Sequence, residues 1–228
     1  MPKERKEVKL NDNSSMDFIH RFIPAVATAV KDNKNKSHAL LLLHGTGGNE
    51  DDLVSVGKMM CENCVLLSTR GKVLENGMPR FFRRLAEGVF DIKDLKHRTQ
   101  ELADFVEKAS QFYGFDLNKT IAVGFSNGAN IAASMILLRP EVLAGAILFR
   151  AMVPFKPDYY PDLSTKHVLL SEGLHDPIAS EQEAKMLFDI MKKSGAKITL
   201  KWQNSSHNLT QEDIVIAKEW LTSIFSDS

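Results

Sequence analysis

The chain has 228 residues, enough for one domain with a full-sized core and too few for two. Lysine plus arginine equals aspartate plus glutamate at 29 each, and the 43% apolar and 25% charged residues are typical of globular proteins. Without a net charge the chain has no overall field to attract nucleic acid or an anionic membrane. Its apolar runs are also far shorter than the roughly 18 residues that span a bilayer. We therefore expect neither nucleic-acid binding nor stable membrane insertion.

The first fifteen residues are polar and charged, and they lack the apolar stretch of a secretory signal peptide. We therefore predict a polar N-terminal extension over residues 1–15 and a single domain over residues 16–228. The same observation predicts a cytoplasmic location.

Beyond the extension, short apolar runs alternate with amphipathic patterns of helical period. This alternation predicts an α/β protein with a mostly parallel central sheet and helices on both faces. The predicted strands lie near residues 18–24, 39–43, 65–69, 119–124, 144–150, 167–172 and 198–202. The predicted helices cover residues 51–60, 95–113, 128–138, 180–194 and 210–225.

A glycine-rich turn, His44-Gly45-Thr46-Gly47-Gly48, follows the second predicted strand. Such a turn can give one backbone N–H group to an oxyanion hole, and Thr46 is the matching position. His44 is expected to shape this turn. A phosphate cradle is disfavoured, because Glu50 stands where a dinucleotide fingerprint needs its third glycine. An ordinary turn at the end of a strand remains the alternative.

Cys61 and Cys64 form a Cys-x-x-Cys pair between a predicted helix and the strand at 65–69. Without a second pair, this is at most half of a zinc site. A redox role is the other alternative. We predict instead that both are reduced cysteines that pack in the interior.

Two connections are candidates for substrate contact: residues 70–90 and the proline-marked loop at 152–161. Loops at the carboxyl ends of strands are where α/β folds bind ligands. An apolar pocket could be formed by Met78, Phe81, Phe82, Met152 and Phe155. Equally, these residues could close the core beneath the loops.

The first of these connections also carries a basic cluster, Arg80, Arg83 and Arg84. We predict that the cluster is the solvated face of a helix. The stems of long cationic side chains pack against the core while their charges remain in water.

The fourth predicted strand runs into Gly124-Phe125-Ser126-Asn127-Gly128, a Gly-x-Ser-x-Gly motif between a strand and a helix. In a nucleophile elbow the serine occupies this tight turn, and the two glycines allow strand, helix and substrate to approach closely. Ser126 is therefore the candidate nucleophile. Asn127, the residue after it, is the position for the second oxyanion N–H group.

An acid and a base follow at the ends of later strands. Asp176 comes after the strand at 167–172, and His207 lies in the loop before the last predicted helix. The order Ser126, Asp176, His207 is that of an α/β-hydrolase triad. Thr210 is the expected cap of the last helix, which anchors the His207 loop.

Other residues compete for the acid and base positions. His175 is adjacent to Asp176 in sequence, but a base must approach the acid from a separate loop, so His207 is preferred. Glu172 lies within a predicted strand and Asp213 within the last predicted helix, so neither has a loop position from which to reach His207.

The motifs resemble those of the phospholipase/carboxylesterase family of small serine hydrolases, within the α/β-hydrolase fold. Residues 43–50, 124–128, 173–177 and 207–213 carry the resemblance, which extends from about residue 18 to 225. Within that family, residues 75–85 resemble bacterial carboxylesterases linked to quinone and hydroquinone resistance.

This reading predicts an esterase that needs no cofactor or metal and cleaves a small-molecule carboxylic ester through an acyl-Ser126 intermediate. Because no large insertion separates the predicted strands, we expect a small or absent lid and a small or medium, apolar or aromatic substrate. A thioesterase or lysophospholipase is the alternative enzyme. A ligand-binding sensor on the same fold and a thiol redox protein are alternatives of other classes. The assembly state, a homodimer included, is left open.

Overall fold

The computed structural model describes residues 16–25 and 37–226. Within these residues, seven strands form one sheet in the spatial order β1-β3-β2-β8-β9-β10-β11. These strands are β1 (His20–Ile23), β2 (Ala39–Leu43), β3 (Val65–Thr69), β8 (Thr120–Phe125), β9 (Gly145–Phe149), β10 (His167–Gly173) and β11 (Lys197–Gln203). Only β1 of this sheet runs antiparallel to its neighbour. The predicted extension over residues 1–15 lies outside the described residues.

Four further strands form two hairpins between β3 and the next helix. They are β4 (Val73–Glu75), β5 (Met78–Arg80), β6 (Arg84–Ala86) and β7 (Val89–Phe90), and β4 pairs with β5 and β6 with β7. We call residues 73–90 the hairpin segment. The sequence predicted an irregular connection here, with a helical face around Arg80, Arg83 and Arg84. That helical prediction is wrong, because two tight turns return the chain on itself with Asn76, Gly77 and Gly88 at positive φ.

The described residues form five α-helices, all near their predicted positions. They are α1 (Val54–Met60), α2 (Ile92–Tyr113), α3 (Asn127–Leu138), α4 (Glu181–Lys193) and α5 (Gln211–Ser226). The helix predicted to begin at residue 51 begins at Val54, because residues 49–53 form turns with bonds such as Val54 N–H to the Asp51 carbonyl at 3.2 Å.

The sheet separates two apolar cores, and β2 shows how. Its five residues are all buried, as expected for a central parallel strand. Leu41 and Leu43 join a cluster with residues of α2, α3 and α4, whereas Leu40 and Leu42 join one with residues of α1 and α5. Helices therefore cover both faces, which confirms the predicted fold class.

Strand register brings the important turns to one edge of the sheet. Leu43 pairs with Gly124, Phe125 with Phe149, and Phe149 with Ser171. The loops after β2, β8, β9, β10 and β11 therefore meet at the carboxyl ends of the strands, where open α/β sheets bind ligands.

The cysteine pair differs from the prediction. Cys61 and Cys64 are joined in a disulfide, with their Cα atoms 5.4 Å apart. The turn between α1 and β3 brings the two Cα atoms within the range that a disulfide requires, a distance that sequence spacing alone does not define. Cys64 is buried as expected.

Candidate active site

Ser126 lies at the junction of β8 and α3 with a backbone φ of 52° and ψ of −113°. This conformation is uncommon for a residue with a side chain, and it is typical of strained turns at functional sites. A Cβ atom at Gly124 would collide with the backbone of Gly128, and one at Gly128 would collide with the backbone of Leu43. The two glycines are therefore required by the close approach of β8, α3 and β2.

A continuous chain of hydrogen bonds joins Ser126, His207 and Asp176. His207 Nε2 is 2.9 Å from Ser126 Oγ, and His207 Nδ1 is 2.7 Å from Asp176 Oδ2. An ionised carboxylate only accepts, so Nδ1 carries the proton and Nε2 is free to accept from the serine hydroxyl. The structure thus brings the three predicted residues into the arrangement of a nucleophile, a base and an acid.

The Asp176 carboxylate is fixed from its other side as well. Asp176 Oδ1 accepts from the backbone N–H groups of Ile178 at 2.8 Å and Ala179 at 3.0 Å, and its side chain is fully buried. His175 is exposed and bonds to Asn204 Oδ1 instead, at 3.1 Å. The histidine that contacts the acid is therefore His207, which comes from a separate loop.

The two predicted oxyanion positions line the same cavity as Ser126. Asn127 is the first residue of α3, so its N–H group has no acceptor one turn earlier within the helix. Its side-chain Oδ1 accepts from Phe81 N–H at 2.7 Å, which ties the hairpin segment to the elbow. Thr46 Oγ1 accepts from Arg80 Nη1 at 2.6 Å, which ties the same segment to the glycine-rich turn.

His44 is a buried structural residue of this turn. Its Nδ1 lies 2.6 Å from the Gly45 carbonyl oxygen, and its Nε2 accepts from Gly71 N–H at 3.0 Å. One ring nitrogen must donate and the other must accept, so the ring is neutral. Burial lowers the pKa of His44, outweighing the Gly45 carbonyl and nearby carboxylates that favour the charged form. His44 therefore shapes the turn, as its position suggested.

A fully buried arginine holds the His207 loop on both sides of the histidine. Arg150, directly after β9, donates from Nε to the Ser206 carbonyl at 3.1 Å and from Nη2 to the Asn208 carbonyl at 2.9 Å. It also forms a two-pronged ion pair with Asp213, with bonds of 2.9 and 2.7 Å. No local pattern in the sequence points to Arg150, whose partner Asp213 lies on α5.

Asp213 and Glu172, the two acids that were not chosen as partners of His207, are both buried near Arg150. Burial opposes ionisation of Asp213, but hydrogen bonds from Arg150, Ser171 and Thr210 prevail and hold its pKa below the usual value. Thr210 and Asp213 also cap α5 reciprocally, since Thr210 N–H donates to Asp213 and Asp213 N–H to Thr210 Oγ1.

Glu172 has a different environment from Asp213. Its Oε1 accepts from Ala151 N–H at 2.8 Å, while its Oε2 is buried without a hydrogen-bond partner. Burial raises the pKa of Glu172 well above the usual value. The carboxyl group that contacts His207 is that of Asp176, not that of Glu172.

The cavity beside Ser126 has a volume of about 320 Å³. Of the five proposed pocket residues, Met152 lines it, whereas Met78 is an exposed residue outside its lining. Phe81, Phe82 and Phe155 are buried in the core, so the pocket prediction is wrong for them. Phe81 packs against His44, and Phe82 packs edge-on against Phe90, with ring centroids 4.8 and 5.1 Å apart.

The apolar part of the cavity wall comes mainly from residues that were not predicted from the sequence. They are Phe90, Phe125 and Ile178, which join Met152. Phe90 ends the hairpin segment, Phe125 precedes the serine, and Ile178 follows Asp176. The available signal was position in the sequence, since Phe125 and Ile178 lie within two residues of the predicted triad residues Ser126 and Asp176.

Two arginines of the predicted solvated cluster also line the cavity. Arg80 is buried on β5, and Arg84 lies on β6 with partly buried side-chain atoms. Arg83 alone fits the prediction of solvation, with 61% of its side chain exposed. Arg80 ends β5 and Arg84 begins β6, whereas Arg83 lies in the irregular stretch between the two strands.

The described residues contain no helix that is long and apolar enough to cross a bilayer. Across residues 16–25 and 37–226, no three His, Cys, Asp or Glu side chains are grouped so that they could hold a metal ion.

Comparisons with known proteins extend over nearly the whole chain. The sequence profile of the Phospholipase/Carboxylesterase family matches residues 25–225. MhqD of Bacillus subtilis (strain 168), a protein whose name calls it a hydrolase, is 49% identical over 183 residues, which cover 80% of this chain and 92% of MhqD.

Two solved structures illustrate the similarity of fold. The Bacillus cereus carboxylesterase has a TM-score of 0.86 and 43% identity, covering 92% of this chain and 96% of its own. YahD, whose structure was solved with malic acid, has a TM-score of 0.82 and 32% identity, covering 90% of this chain and 98% of its own.

Proposed function

Because the chain belongs to the phospholipase/carboxylesterase family, we propose that it is a serine esterase that cleaves small or medium carboxylic esters through an acyl-Ser126 intermediate. The family resemblance inferred from the motifs is confirmed. Its narrower link to quinone and hydroquinone resistance stays a prediction. The chain is a carboxylesterase-type hydrolase. The serine mechanism and the choice of substrate are our proposals.

One observation carries the mechanism: the unbroken hydrogen-bond chain from Ser126 Oγ through His207 to Asp176, at the wall of a cavity. A nucleophile, a base and an orienting acid at such distances are the geometric signature of covalent acyl transfer. A ligand-binding sensor would gain nothing from aligning all three groups.

In the acylation step, Ser126 Oγ attacks the ester carbonyl carbon while His207 Nε2 takes the hydroxyl proton. The carbonyl oxygen becomes an oxyanion, which the backbone N–H groups of Thr46 and Asn127 stabilise. As the intermediate collapses, the bond between the carbonyl carbon and the leaving oxygen breaks. His207 returns its proton to the departing alcohol, and the acyl group remains on Ser126.

In the deacylation step, His207 removes a proton from water, and the resulting hydroxide adds to the acyl carbon. The second tetrahedral intermediate is held by the same two N–H groups. Its collapse breaks the bond to Ser126 Oγ, which recovers its proton from His207, and releases the carboxylic acid. Asp176 remains ionised throughout, orienting the ring and stabilising the imidazolium.

The cavity supports a small or medium substrate with an apolar part. Its volume of about 320 Å³ is at the lower end of typical ligand pockets. Phe90, Phe125, Met152 and Ile178 give it apolar contact surface. Thioesters would follow the same acyl chemistry, so a series of esters and thioesters with increasing acyl length would separate the two activities. The cytoplasmic location, the small-molecule partner and a homodimer stay predictions.

Reaction with a fluorophosphonate probe tests the proposed nucleophile. The probe should phosphonylate Ser126 Oγ with loss of fluoride, which intact-mass measurement and peptide mapping detect. Ser126→Ala should not react, and His175→Ala, which changes a histidine outside the hydrogen-bond chain, should react like the wild type. A wild-type protein that binds small esters without either hydrolysing them or reacting with the probe would instead be a sensor.

A further inference from the structure

The cavity beside Ser126 has two unlike walls. One is apolar, formed by Phe90, Phe125, Met152 and Ile178. The other includes two arginines of the hairpin segment, Arg80 and Arg84. An esterase for purely apolar substrates has no need of buried cations beside its nucleophile, because taking a charge out of water is costly.

Arg80 is held rigidly in this wall, with only 4% of its side chain exposed. Its Nη1 donates to Thr46 Oγ1 at 2.6 Å, and its Nε donates to the Phe82 carbonyl at 3.2 Å. Its Nε is also 3.2 Å from Glu75 Oε2. The hydrogen bonds to Thr46 and Phe82 fix the plane of the guanidinium group. Arg80 is therefore already oriented before a substrate enters.

Glu75 is shared between the two arginines. Arg84 Nε donates to Glu75 Oε1 at 2.8 Å, while Arg80 approaches the other oxygen. Two cations and one carboxylate leave an excess of one positive charge at this wall. Glu87 also lines the cavity, but it is an exposed residue whose charge water screens more effectively.

The acid–base behaviour of Arg80 agrees with this imbalance. Burial is the main cause that lowers the pKa of Arg80, repulsion by Arg84 is the next, and attraction by Glu75 opposes both. An anion placed beside the two guanidinium groups would reduce that repulsion.

We infer that the esters cleaved by this site carry a free carboxylate, which binds to the guanidinium groups of Arg80 and Arg84 while the scissile carbonyl lies at Ser126. A single negative charge balances the excess, and the planar fork of an arginine matches the two oxygens of a carboxylate. Small half-esters of dicarboxylic acids and esters of carboxyphenols have this chemistry. The inference rests on the proposed esterase function and narrows its substrate class.

Two matched pairs of substrates test the inference. The first pair, 4-nitrophenyl hemisuccinate and 4-nitrophenyl succinamate, carries the charge or its neutral amide on the acyl side. The second pair, 4-carboxyphenyl acetate and 4-carbamoylphenyl acetate, carries them on the alcohol side. We expect kcat/KM to favour the carboxylate by about tenfold or more in at least one pair, the scale of a charge-assisted contact. The pair in which the carboxylate is favoured shows whether the acyl half or the alcohol half of the ester faces the arginines.

Variants of the hairpin segment then assign the preference. Arg84→Met leaves Glu75 to balance Arg80 alone, so the ratio of kcat/KM between the carboxylate ester and its neutral partner should fall to nearly one. Arg83→Met is the matched control, because this neighbouring arginine is exposed and does not line the cavity, and its preference should equal that of the wild type. Glu75→Gln removes the shared carboxylate and should increase the preference.

The outcomes separate this inference from the proposed function. Equal kcat/KM values within both pairs, or a preference that Arg84→Met and Glu75→Gln leave unchanged, would overturn the carboxylate inference while Ser126-dependent hydrolysis stands. If no ester of either pair were cleaved, the esterase proposal and the inference would both fail. Should Arg84→Met fold poorly, the opposite change expected for Glu75→Gln still decides the question.

Discussion

Two regions meet at the cavity, and they are held in place by different means. The carboxyl-terminal edge of the sheet, which we call the catalytic edge, carries Ser126 at the start of α3 and Asp176 and His207 on loops. Buried contacts fix these loops, among them the bonds from the Arg150 side chain to the His207 loop. The hairpin segment is largely exposed, and salt bridges of Glu75 join its strands. We therefore expect the catalytic edge to perform the chemistry and the hairpin segment to select the substrate.

The His207 loop shows how strongly the catalytic edge is fixed. Arg150 bonds to the carbonyl groups on both sides of His207, and a Cβ atom at Gly173 would collide with the Ser206 carbonyl oxygen. By contrast, Leu74 and Leu85 of the hairpin segment are 69% and 73% exposed. Changes at the catalytic edge should therefore lower kcat for every ester, whereas those at the cavity face of the hairpin segment should alter the preference among esters.

The largest effect is expected for Ser126→Ala. Removal of the nucleophile should lower kcat by roughly six orders of magnitude for all esters, as losses of triad serines do. The fold should be intact, because the adjacent glycines that permit the elbow are unchanged. Steady-state kinetics and thermal unfolding on one preparation test this. A variant that retained even a tenth of wild-type activity would show that Ser126 is not the nucleophile.

Asp176→Asn should have the next largest effect, a fall in kcat of roughly 10⁴. The amide can donate to His207 Nδ1, which favours the wrong tautomer and removes the negative charge that faces the imidazolium. His175→Ala is the control and should keep wild-type kcat, because His175 contacts Asn204 instead. A fully active Asp176→Asn protein would show that Asp176 only forms a turn and does not assist His207.

Arg150→Met should destabilise the protein by about 3–5 kcal/mol, because it leaves the buried Asp213 charge without its partner. It should also lower kcat per folded molecule, since the carbonyl groups beside His207 lose their donors. Adding Asp213→Leu should recover part of the stability without recovering kcat. Full recovery of both would mean that Arg150 has no role in positioning His207.

Glu172→Gln should change the pH dependence of stability and leave kcat nearly unchanged. Above the ordinary glutamate pKa of about 4.3, the unfolded chain releases a proton that folded Glu172 retains, because its folded pKa is raised. The wild-type free energy of unfolding therefore loses this contribution as pH rises through the folded pKa.

Thermal unfolding between about pH 4 and 8 tests this sign. The glutamine variant should gain stability relative to the wild type as pH rises. The exposed Glu212→Gln is the control and should show a much smaller trend. Parallel curves for wild type and Glu172→Gln would contradict a neutral, buried Glu172.

The parts of the molecule that the sequence predicted well depend on backbone constraints with short-range signatures. Strands β2 and β3 lie where their apolar runs placed them, and the serine is on the predicted turn. The expected position of His207 followed from its loop between a strand and a capped helix. Each of these sequence signals is local. The parallel pairing of the strands then brings the turns that follow them to one edge of the sheet.

The parts that could not be predicted depend on side-chain pairs without a local pattern. Arg150 is a single arginine that follows a strand without any recognisable motif. Its partner Asp213 comes 63 residues later in the sequence. The hairpin segment has short strands whose alternation is too brief to identify. Phe81 and Phe82 lie next to Arg80, yet they turn into the core while it reaches the cavity, so apolar character alone did not identify the pocket.

The proposed mechanism requires an acyl-enzyme at Ser126, whichever ester the hairpin segment selects. Rapid acid quench during turnover of a 4-nitrophenyl ester, followed by intact-mass measurement and peptide mapping, tests it most directly. We expect a burst of 4-nitrophenol and a mass increase equal to the acyl group, located on the peptide that contains Ser126. Hydrolysis at the full rate with no acyl adduct, or an adduct on another residue that persists in Ser126→Ala, would contradict it.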